Sequence, residues 1–374
     1  MIMVGFRGIE APENSDIYNT IKDVQVGGLA LFDYDIPSHS VPRNITNPKQ
    51  TKELIVNLQK YSAIPLFIAI DAEGGAINRL KQTYGFLPIL SPEKMGRDKT
   101  LETTKKESEK LAQELKGLGF NMNFAPVVDV NINPKNPIIG ALGRSFSPNS
   151  KDVVSQARVF IENHVKNNII AVAKHFPGQG SATKDSHLGM VDVTNTYKKD
   201  ELLPYQKLNN EGLLNAVMTA HIKNKNIDPN YPATLSSIFL QNILRKQIGF
   251  KGIIISDDMQ MAAIKDHYAF DESIIKAVNA GNDVISFSNN SPNGYDAKIA
   301  YKVRDAIFNA VKEHRIKEER ITESYTRILN LKKQFRITTN NFELLGAQKT
   351  LTFKDALDVA KYADIDRQQK ILYK

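Results

Sequence analysis

Residues 152–175 read DVVSQARVFIENHVKNNIIAVAKH, and this stretch carries the pattern that decides the fold. Residues 152–167 place apolar side chains at helical spacing, whereas residues 169–173 form a short aliphatic run. A helix that alternates with a buried strand is the repeating unit of α/β proteins. The aliphatic run ends at Lys174 and His175, so two polar residues follow the predicted strand directly.

The same alternation recurs along the chain. Helix-like segments cover residues 103–118, 152–167 and 236–248, and a helix pair lies around residues 301–333. Eight strands joined by helices predict an α/β fold, a single (β/α)8 TIM-type barrel. No Pro/Gly/Ser-rich linker supports the alternative of two domains. The eight apolar runs are residues 1–6, 28–32, 65–70, 122–128, 169–173, 216–220, 252–255 and 283–287.

The composition excludes several classes of protein. The 374 residues are 41% hydrophobic and 24% charged, which is typical of a globular protein. The chain contains no cysteine, so disulfides, thiol nucleophiles and cysteine-ligated metals are excluded. No apolar run approaches the length of a membrane span. The first residues lack the features of a signal peptide, and we expect a cytoplasmic protein, or a periplasmic or secreted one if an export signal was removed.

The net charge of +8 raises the possibility of a nucleic-acid partner. The lysines are scattered, however, as in Lys105-Lys106 and Lys198-Lys199, and scattered lysines are typical of solvated helix faces. We therefore predict no nucleic-acid partner and no membrane span. We also expect the protein to be a monomer.

Polar residues follow most of the predicted strands. In a parallel barrel the carboxyl ends of all strands lie on one face, so these side chains should surround a single pocket. The first glycine-rich loop follows the third strand, where Gly74 and Gly75 permit a tight turn. The polar residues at the strand ends are Asp71, Asp129, Lys174, His175, His221, Asp257 and Asp258.

Four of these positions leave alternatives open. Asp71 could cap a following helix instead of facing the pocket. His221 could line the pocket or serve as a buried, hydrogen-bonded structural residue. Asp257 and Asp258 cannot both face inward because neighbouring side chains on a strand point in opposite directions, and we predict that Asp257 is the inward one.

The run KHFPGQGSATKDSH, residues 174–187, ends in Asp185-Ser186-His187. A carboxylate that binds one nitrogen of an imidazole fixes its tautomer and supports its protonated form, leaving the other nitrogen free to exchange a proton. The alternative is a surface ion pair without a catalytic role. A zinc site is disfavoured because the loop between His175 and His187 is too long for a compact ligand pair.

Six motifs in this chain resemble those of glycoside hydrolase family 3, in its β-N-acetylhexosaminidase branch, and they follow the family's order over residues 1–337. Two positions depart from the family pattern. Gln179 stands where the family commonly has His, and Ala76 stands where a long basic residue is common. These two departures put the preference for a leaving group in question more than catalysis. The motifs are IAIDAEGGAINRL (68–80), MNFAPVVDV (122–130), GRSF (143–146), KHFPGQGSATKDSH (174–187), VMTAH (217–221) and IIISDDM (253–259).

The resemblance implies a barrel catalytic domain over residues 1–337, followed by a C-terminal extension, residues 338–374. It implies that Asp257 is the nucleophile, that His187 is the general acid/base and that Asp185 orients His187. No cofactor or metal is implied. The sugar-binding residues that the resemblance implies are Asp71, Arg79, Arg144, Lys174 and His175.

The expected function is that of a retaining exo-β-N-acetylglucosaminidase. Its implied substrate is a GlcNAc-containing muropeptide or glycan, which would place the protein in peptidoglycan recycling. The alternatives are a phosphorylase or β-glucosidase on the same barrel, and a non-catalytic sugar-binding protein. The phosphorylase remains open because a neutral imidazole repels phosphate less than a carboxylate does.

Overall fold

The computed structural model describes residues 1–337, and eight parallel strands form the centre of the fold. The strand order is β7-β6-β5-β4-β3-β2-β1-β8, and a bridge between Ile255 and Val284 joins the two outer strands. The nearly closed sheet confirms the predicted (β/α)8 barrel. The predicted C-terminal extension lies outside the described residues. The strands are β1 (Ile2–Gly5), β2 (Gly28–Leu31), β3 (Phe67–Ile70), β4 (Met122–Asn123), β5 (Ile170–Phe176), β6 (Ala216–Thr219), β7 (Ile253–Ile255) and β8 (Ile285–Phe287).

Helices surround the strands and bury their apolar faces against them. Helix α5, for example, buries Val153, Ala157 and Phe160, and the Asn149 side chain caps its first turn. None of the helices described for residues 1–337 is long and apolar enough to cross a membrane. The α-helices are α1 (Asp16–Asn19), α2 (Pro48–Tyr61), α3 (Pro92–Gly96), α4 (Glu102–Leu118), α5 (Ser150–Lys166), α6 (Leu203–Asn210), α7 (Ala262–Lys265), α8 (Phe270–Ala280), α9 (Ile299–Lys312) and α10 (Glu318–Gln334), and a π-helix spans Ile238–Gln247.

Two strands differ in length from the sequence prediction. Regular strand β4 ends at Asn123 instead of reaching Val128, although Val127 still forms an isolated bridge with Lys174 of β5. Strand β5 continues beyond Ala173 to Phe176, which pairs with Thr219 of β6. Lys174 and His175 therefore lie within β5, and the extra length carries them to the carboxyl face of the barrel.

Helix α10 covers the amino-terminal end of the barrel. The buried Asp283 accepts hydrogen bonds from Arg320, Ser324 and Arg327 of this helix, at 3.2, 2.7 and 3.1 Å. Lys332 of the same helix donates to the carbonyl of Pro65, just before β3, at 2.6 Å. Because α10 closes the amino end, the polar side chains at the carboxyl ends are left to form the pocket.

Candidate active site

Glu73 joins two cations at the carboxyl ends of β3 and β5. Both oxygens of Glu73 accept from Arg144, at 2.7 and 2.8 Å, in a bidentate pair. The ammonium of Lys174 lies 2.7 Å from Glu73 Oε1 and 2.8 Å from Asp71 Oδ1. Lys174, Arg144 and Glu73 are buried, so these charges hold one another in fixed positions.

Sequence reasoning singled out Asp71, Arg144 and Lys174 but gave Glu73 no role. Glu73 is two residues beyond Asp71, and extended backbone places such residues on the same face. This two-residue spacing is the sequence signal that could have pointed to Glu73. The partners of Glu73 could not be found in this way, because Arg144 and Lys174 lie far along the chain and only the folded barrel brings them close.

The ion pairs shift the pKa values of this cluster toward the charged forms. Burial alone raises the pKa of Asp71, but Lys174 and Arg79 oppose this and lower it to about 2. Burial alone lowers the pKa of Lys174, but Asp71 and Glu73 reverse this and raise it. Near neutral pH the cluster therefore presents ionised carboxylates and a charged ammonium, which suit hydrogen bonds to sugar hydroxyls.

Arg79 lies between two carboxylates without a close bond to either. Its guanidinium nitrogens are 3.7 Å from Asp33 and 3.9 Å from Asp71, and its side chain is 30% exposed. After Asp71 the chain forms a short antiparallel pair, Ala72–Gly74 with Ile77–Asn78, so the alternative that Asp71 caps a helix is wrong. The hairpin turns at two glycines with positive φ and brings Arg79 back beside Asp71.

Asp129 holds His175 and the start of the following loop. Its carboxylate accepts from the His175 ring Nδ1 at 2.7 Å, from the His175 backbone at 3.2 Å and from the Gln179 backbone at 2.8 Å. A proton on Nδ1 leaves Nε2 as an acceptor, and Arg144 Nη2 lies 3.4 Å from it. Asp129 was expected at the pocket, and its position explains the orientation of His175.

Asp185 and His187 form a second imidazole–carboxylate pair, on the loop after β5. His187 Nδ1 lies 2.7 Å from Asp185 Oδ1, and the backbone N–H of His187 donates to the same oxygen at 2.8 Å. The His187 side chain is 60% exposed. Its Nε2 has no hydrogen-bond partner among the residues that the structure describes, so this nitrogen is free to exchange a proton with a ligand.

Asp257 follows β7, and three histidines affect its charge. Burial alone raises its pKa, but His221, His175 and His187, together with the N–H of Asp258, lower it. Asp257 therefore lies within electrostatic reach of both imidazole–carboxylate pairs. An ionised carboxylate near a proton-carrying imidazole is an arrangement suited to nucleophilic attack with acid assistance.

Asp258 points away from this carboxylate into the β8 loop. Its Oδ1 accepts from the backbone N–H groups of Ser288 and Gln260, at 3.0 and 3.1 Å, and its other oxygen accepts from the Ser288 hydroxyl. The hydrogen bonds tie the loop after β7 to the loop after β8. The division between an inward Asp257 and a loop-binding Asp258 matches the alternation expected for a strand.

His221, at the end of β6, is a buried structural residue. Its Nε2 donates to the carbonyl of Asp258 at 2.9 Å, and its Nδ1 bonds Thr234 at 2.8 Å. Burial lowers its pKa. Because both ring nitrogens are occupied, His221 supports the backbone beside Asp257 and has no nitrogen left for a ligand.

The structure thus gathers the predicted site residues on one face of the barrel. The strand-borne residues form one side of this face, and the loop after β5 brings Asp185 and His187 to it. Within residues 1–337, no group of three or more His, Cys, Asp or Glu side chains is placed to hold a metal ion. The roles of the individual residues remain predictions.

Comparison with known proteins identifies the family. The family model described as the glycosyl hydrolase family 3 N terminal domain matches residues 1–331. A β-hexosaminidase of Shewanella frigidimarina is 36% identical over 71% of this chain and 76% of its own length. β-Hexosaminidase A of Pseudoalteromonas piscicida is 30% identical over 91% of this chain, but the match spans only 58% of that longer protein.

A solved structure supports the same assignment. The family 3 β-N-acetylglucosaminidase of Paenibacillus sp. str. FPU-7 is 33% identical, with a TM-score of 0.81, over 95% of this chain and 64% of that one. The match covers nearly all of the described barrel. The family model, the curated relatives and this structural neighbour agree with the sequence motifs, and the chain therefore belongs to glycoside hydrolase family 3, which is a family of glycosidases.

Proposed function

We propose that the protein is a retaining exo-β-N-acetylglucosaminidase, in which Asp257 and His187 act on one glycosidic bond. The observation that carries this proposal is that Asp257 follows β7 at the carboxyl face of the barrel, the face on which the loop after β5 carries the hydrogen-bonded Asp185–His187 pair. The names of the curated relatives and of the structural neighbour support a hexosaminide substrate.

The glycone residues hold the non-reducing N-acetylglucosamine. Asp71 accepts from sugar hydroxyls, while Lys174 and Arg144 donate to them from fixed positions. Arg79 has no close bond to Asp33 or Asp71, so its guanidinium is free to turn toward the sugar. His175 completes this set and is held by Asp129. Bonds to charged groups of this kind are about twice as strong as neutral ones.

The reaction proceeds in two displacements. In the first, the Asp257 carboxylate attacks the anomeric carbon, and Nε2 of protonated His187 gives its proton to the departing oxygen as the glycosidic bond breaks. In the second, neutral His187 takes a proton from water, whose oxygen attacks the anomeric carbon and releases Asp257. Two inversions retain the β configuration, and Asp185 stabilises the imidazolium in both steps.

A muropeptide is the substrate that we propose within this class. Its leaving group carries lactyl and peptide carboxylates, and the net charge of +8 favours the approach of such an anion. The proposed role is therefore the removal of N-acetylglucosamine from peptidoglycan fragments during cell-wall recycling.

Replacing Asp257 by Ala tests the nucleophile. We expect the rate on aryl β-N-acetylglucosaminide to fall by about 10⁴-fold or more, because a catalytic nucleophile acts together with its acid/base partner. Thermal unfolding of the variant provides the control for folding. Activity within tenfold of the wild type would exclude Asp257 as the nucleophile.

The substrate and the acceptor are tested on the wild-type protein. Aryl β-N-acetylglucosaminide should be cleaved much faster than aryl β-glucoside, and the sugar released first should be the β anomer by NMR. Adding inorganic phosphate should leave the product unchanged if water is the acceptor. Formation of a sugar phosphate would instead identify a phosphorylase, and an initial α anomer would contradict the retaining mechanism.

A further inference from the structure

Gln179 is buried at the base of the loop that carries Asp185 and His187, and the structure holds its backbone from two sides. Its N–H donates to Asp129 Oδ1 at 2.8 Å, and its carbonyl accepts from Asn136 Nδ2 at 2.7 Å. The residue is 1% exposed. Because both backbone groups are bonded to elements after β4, the start of the Gln179 side chain has a fixed position.

The Gln179 side chain reaches the middle residue of the Asp-Ser-His motif. Its Nε2 donates to Ser186 Oγ at 3.1 Å, and Ser186 is 2% exposed. Asp185 and His187, on either side of this serine, have side chains that are 25% and 60% exposed. The serine therefore faces the protein while its two neighbours face the pocket.

The bond to Ser186 is also the only hydrogen bond, among the described residues, that joins residues 183–189 to another part of the protein. The remaining bonds of this segment run between Asp185 and His187 and from Leu188 to Asp185. No other hydrogen bond among the described residues fixes the tip of this loop against its base. One amide–hydroxyl bond therefore fastens the segment that carries His187.

We propose that Gln179 is a positioning residue, whose bond to Ser186 sets where Nε2 of His187 stands for proton transfer. The inference rests on the proposed function of His187 as the general acid/base. It also gives a role to a departure from the family pattern, in which His commonly occupies this position. A glutamine amide carries a donor N–H at every pH, whereas a neutral imidazole has only one N–H, whose place depends on the tautomer.

The test replaces Gln179 by Ala and compares two leaving groups. With phenyl β-N-acetylglucosaminide, whose phenol needs a proton to leave, we expect kcat/KM, which reports the first displacement, to fall by about tenfold to a hundredfold, the cost of a misplaced catalytic group. With the 2,4-dinitrophenyl glycoside, whose phenolate leaves without a proton, we expect a much smaller loss of kcat/KM. The inhibition constant of N-acetylglucosamine should stay at the wild-type value, because the glycone residues are untouched.

Two further variants separate positioning from general damage. Gln156 is a matched control: it is also 1% exposed, and its amide also bonds a hydroxyl, that of Thr104, but in the outer helix α5. Gln156→Ala should lower stability without changing the ratio of the two rates. Gln179→His restores a side chain that can donate to Ser186, and we expect it to recover most of the rate on the phenyl substrate.

The possible outcomes decide between the proposals. A folded Gln179→Ala protein with the wild-type ratio of the two rates would overturn the positioning role. If Gln179→Ala does not fold, Ser186→Ala removes the same bond with less disturbance. A wild-type ratio of the two rates in Ser186→Ala would also overturn the positioning role of Gln179. Failure of the proposed function would be visible in the wild type itself, as a lack of turnover on either aryl substrate or as full activity of Asp257→Ala.

Discussion

The two imidazole–carboxylate pairs of the site have the same internal geometry and opposite surroundings. His175 and His187 each place Nδ1 at 2.7 Å from an aspartate oxygen. The Asp129–His175 pair is almost fully buried, and Arg144 faces its Nε2. The Asp185–His187 pair is exposed, and its Nε2 is unoccupied among the described residues.

The difference shows that the chemistry of such a pair is decided by what lies around it. Asp129 accepts three hydrogen bonds from His175 and Gln179, so the buried pair is rigid and suited to holding a substrate group in one place. His187 is held through Asp185 and, by way of Ser186, through one bond to Gln179. Under the proposed function, the smaller number of bonds gives the exposed pair freedom to approach a glycosidic oxygen and then withdraw.

Removing the buried carboxylate should have the largest effect. Asp129→Ala leaves His175 and the Gln179 N–H without their acceptor, and we expect the free energy of unfolding to fall by about 3 to 5 kcal/mol, as for breaking a buried pair. Urea denaturation followed by circular dichroism measures this. Asp129→Asn retains an acceptor oxygen and should lose much less. A loss below about 1 kcal/mol in Asp129→Ala would show that burial does not distinguish the two pairs.

Removing the exposed imidazole should affect catalysis and leave folding intact. We expect His187→Ala to lower kcat/KM on a natural glycan by about 10² to 10⁴-fold, the contribution of a general acid. The kcat/KM on an aryl glycoside with a good leaving group should fall much less, because that group departs without a proton in the first displacement. Steady-state kinetics on both substrates provide the measurement. Equal losses on the two would count against His187 as the acid.

The sequence was sufficient to predict features that depend on strand periodicity. The eight strands follow from the alternation of apolar runs with amphipathic segments, and the opposite directions of Asp257 and Asp258 follow from alternation along a strand. Lys174 and His175 were expected just after the fifth strand and lie within its last residues. Partner choice does not follow in this way. Glu73 with Arg144 and Gln179 with Ser186 are contacts that depend on tertiary distances, and a local pattern carries no information about them. The end of β4 at Asn123 is likewise not visible in the sequence, because the apolar run of residues 122–128 continues past it.

The pH dependence of activity should distinguish the two imidazoles by their effect on Asp257. Asp257 must be ionised to attack, and its lowered pKa keeps it ionised to more acidic pH, so the acid limb of kcat/KM should lie below the usual carboxyl range near about 3.9. On the 2,4-dinitrophenyl glycoside, His175→Ala should raise the midpoint more than His187→Ala, because the buried His175 lowers the pKa of Asp257 more than the exposed His187 does.

We expect each of these shifts to be less than about one pH unit, which corresponds to about 1.4 kcal/mol. We would measure rates at saturating and at low substrate concentrations across the acid limb. These rates separate a shift of the midpoint from a change in substrate binding. A larger shift for His187→Ala would mean that the exposed pair, and not the buried one, sets the charge of Asp257.

The smallest predicted effect is that of Asp185→Ala on the free energy of unfolding. Asp185→Ala deletes a contact with an imidazole that is 60% exposed, so the free energy of unfolding should change by less than about 1 kcal/mol. The same variant should nevertheless slow the phenyl glycoside, because His187 loses the group that fixes its tautomer and supports its charge. Urea denaturation and kcat measured on one preparation test both statements. A stability loss as large as that of Asp129→Ala would show that the loop is a structural element held by this pair, and its proposed freedom to approach and leave the substrate would then be wrong.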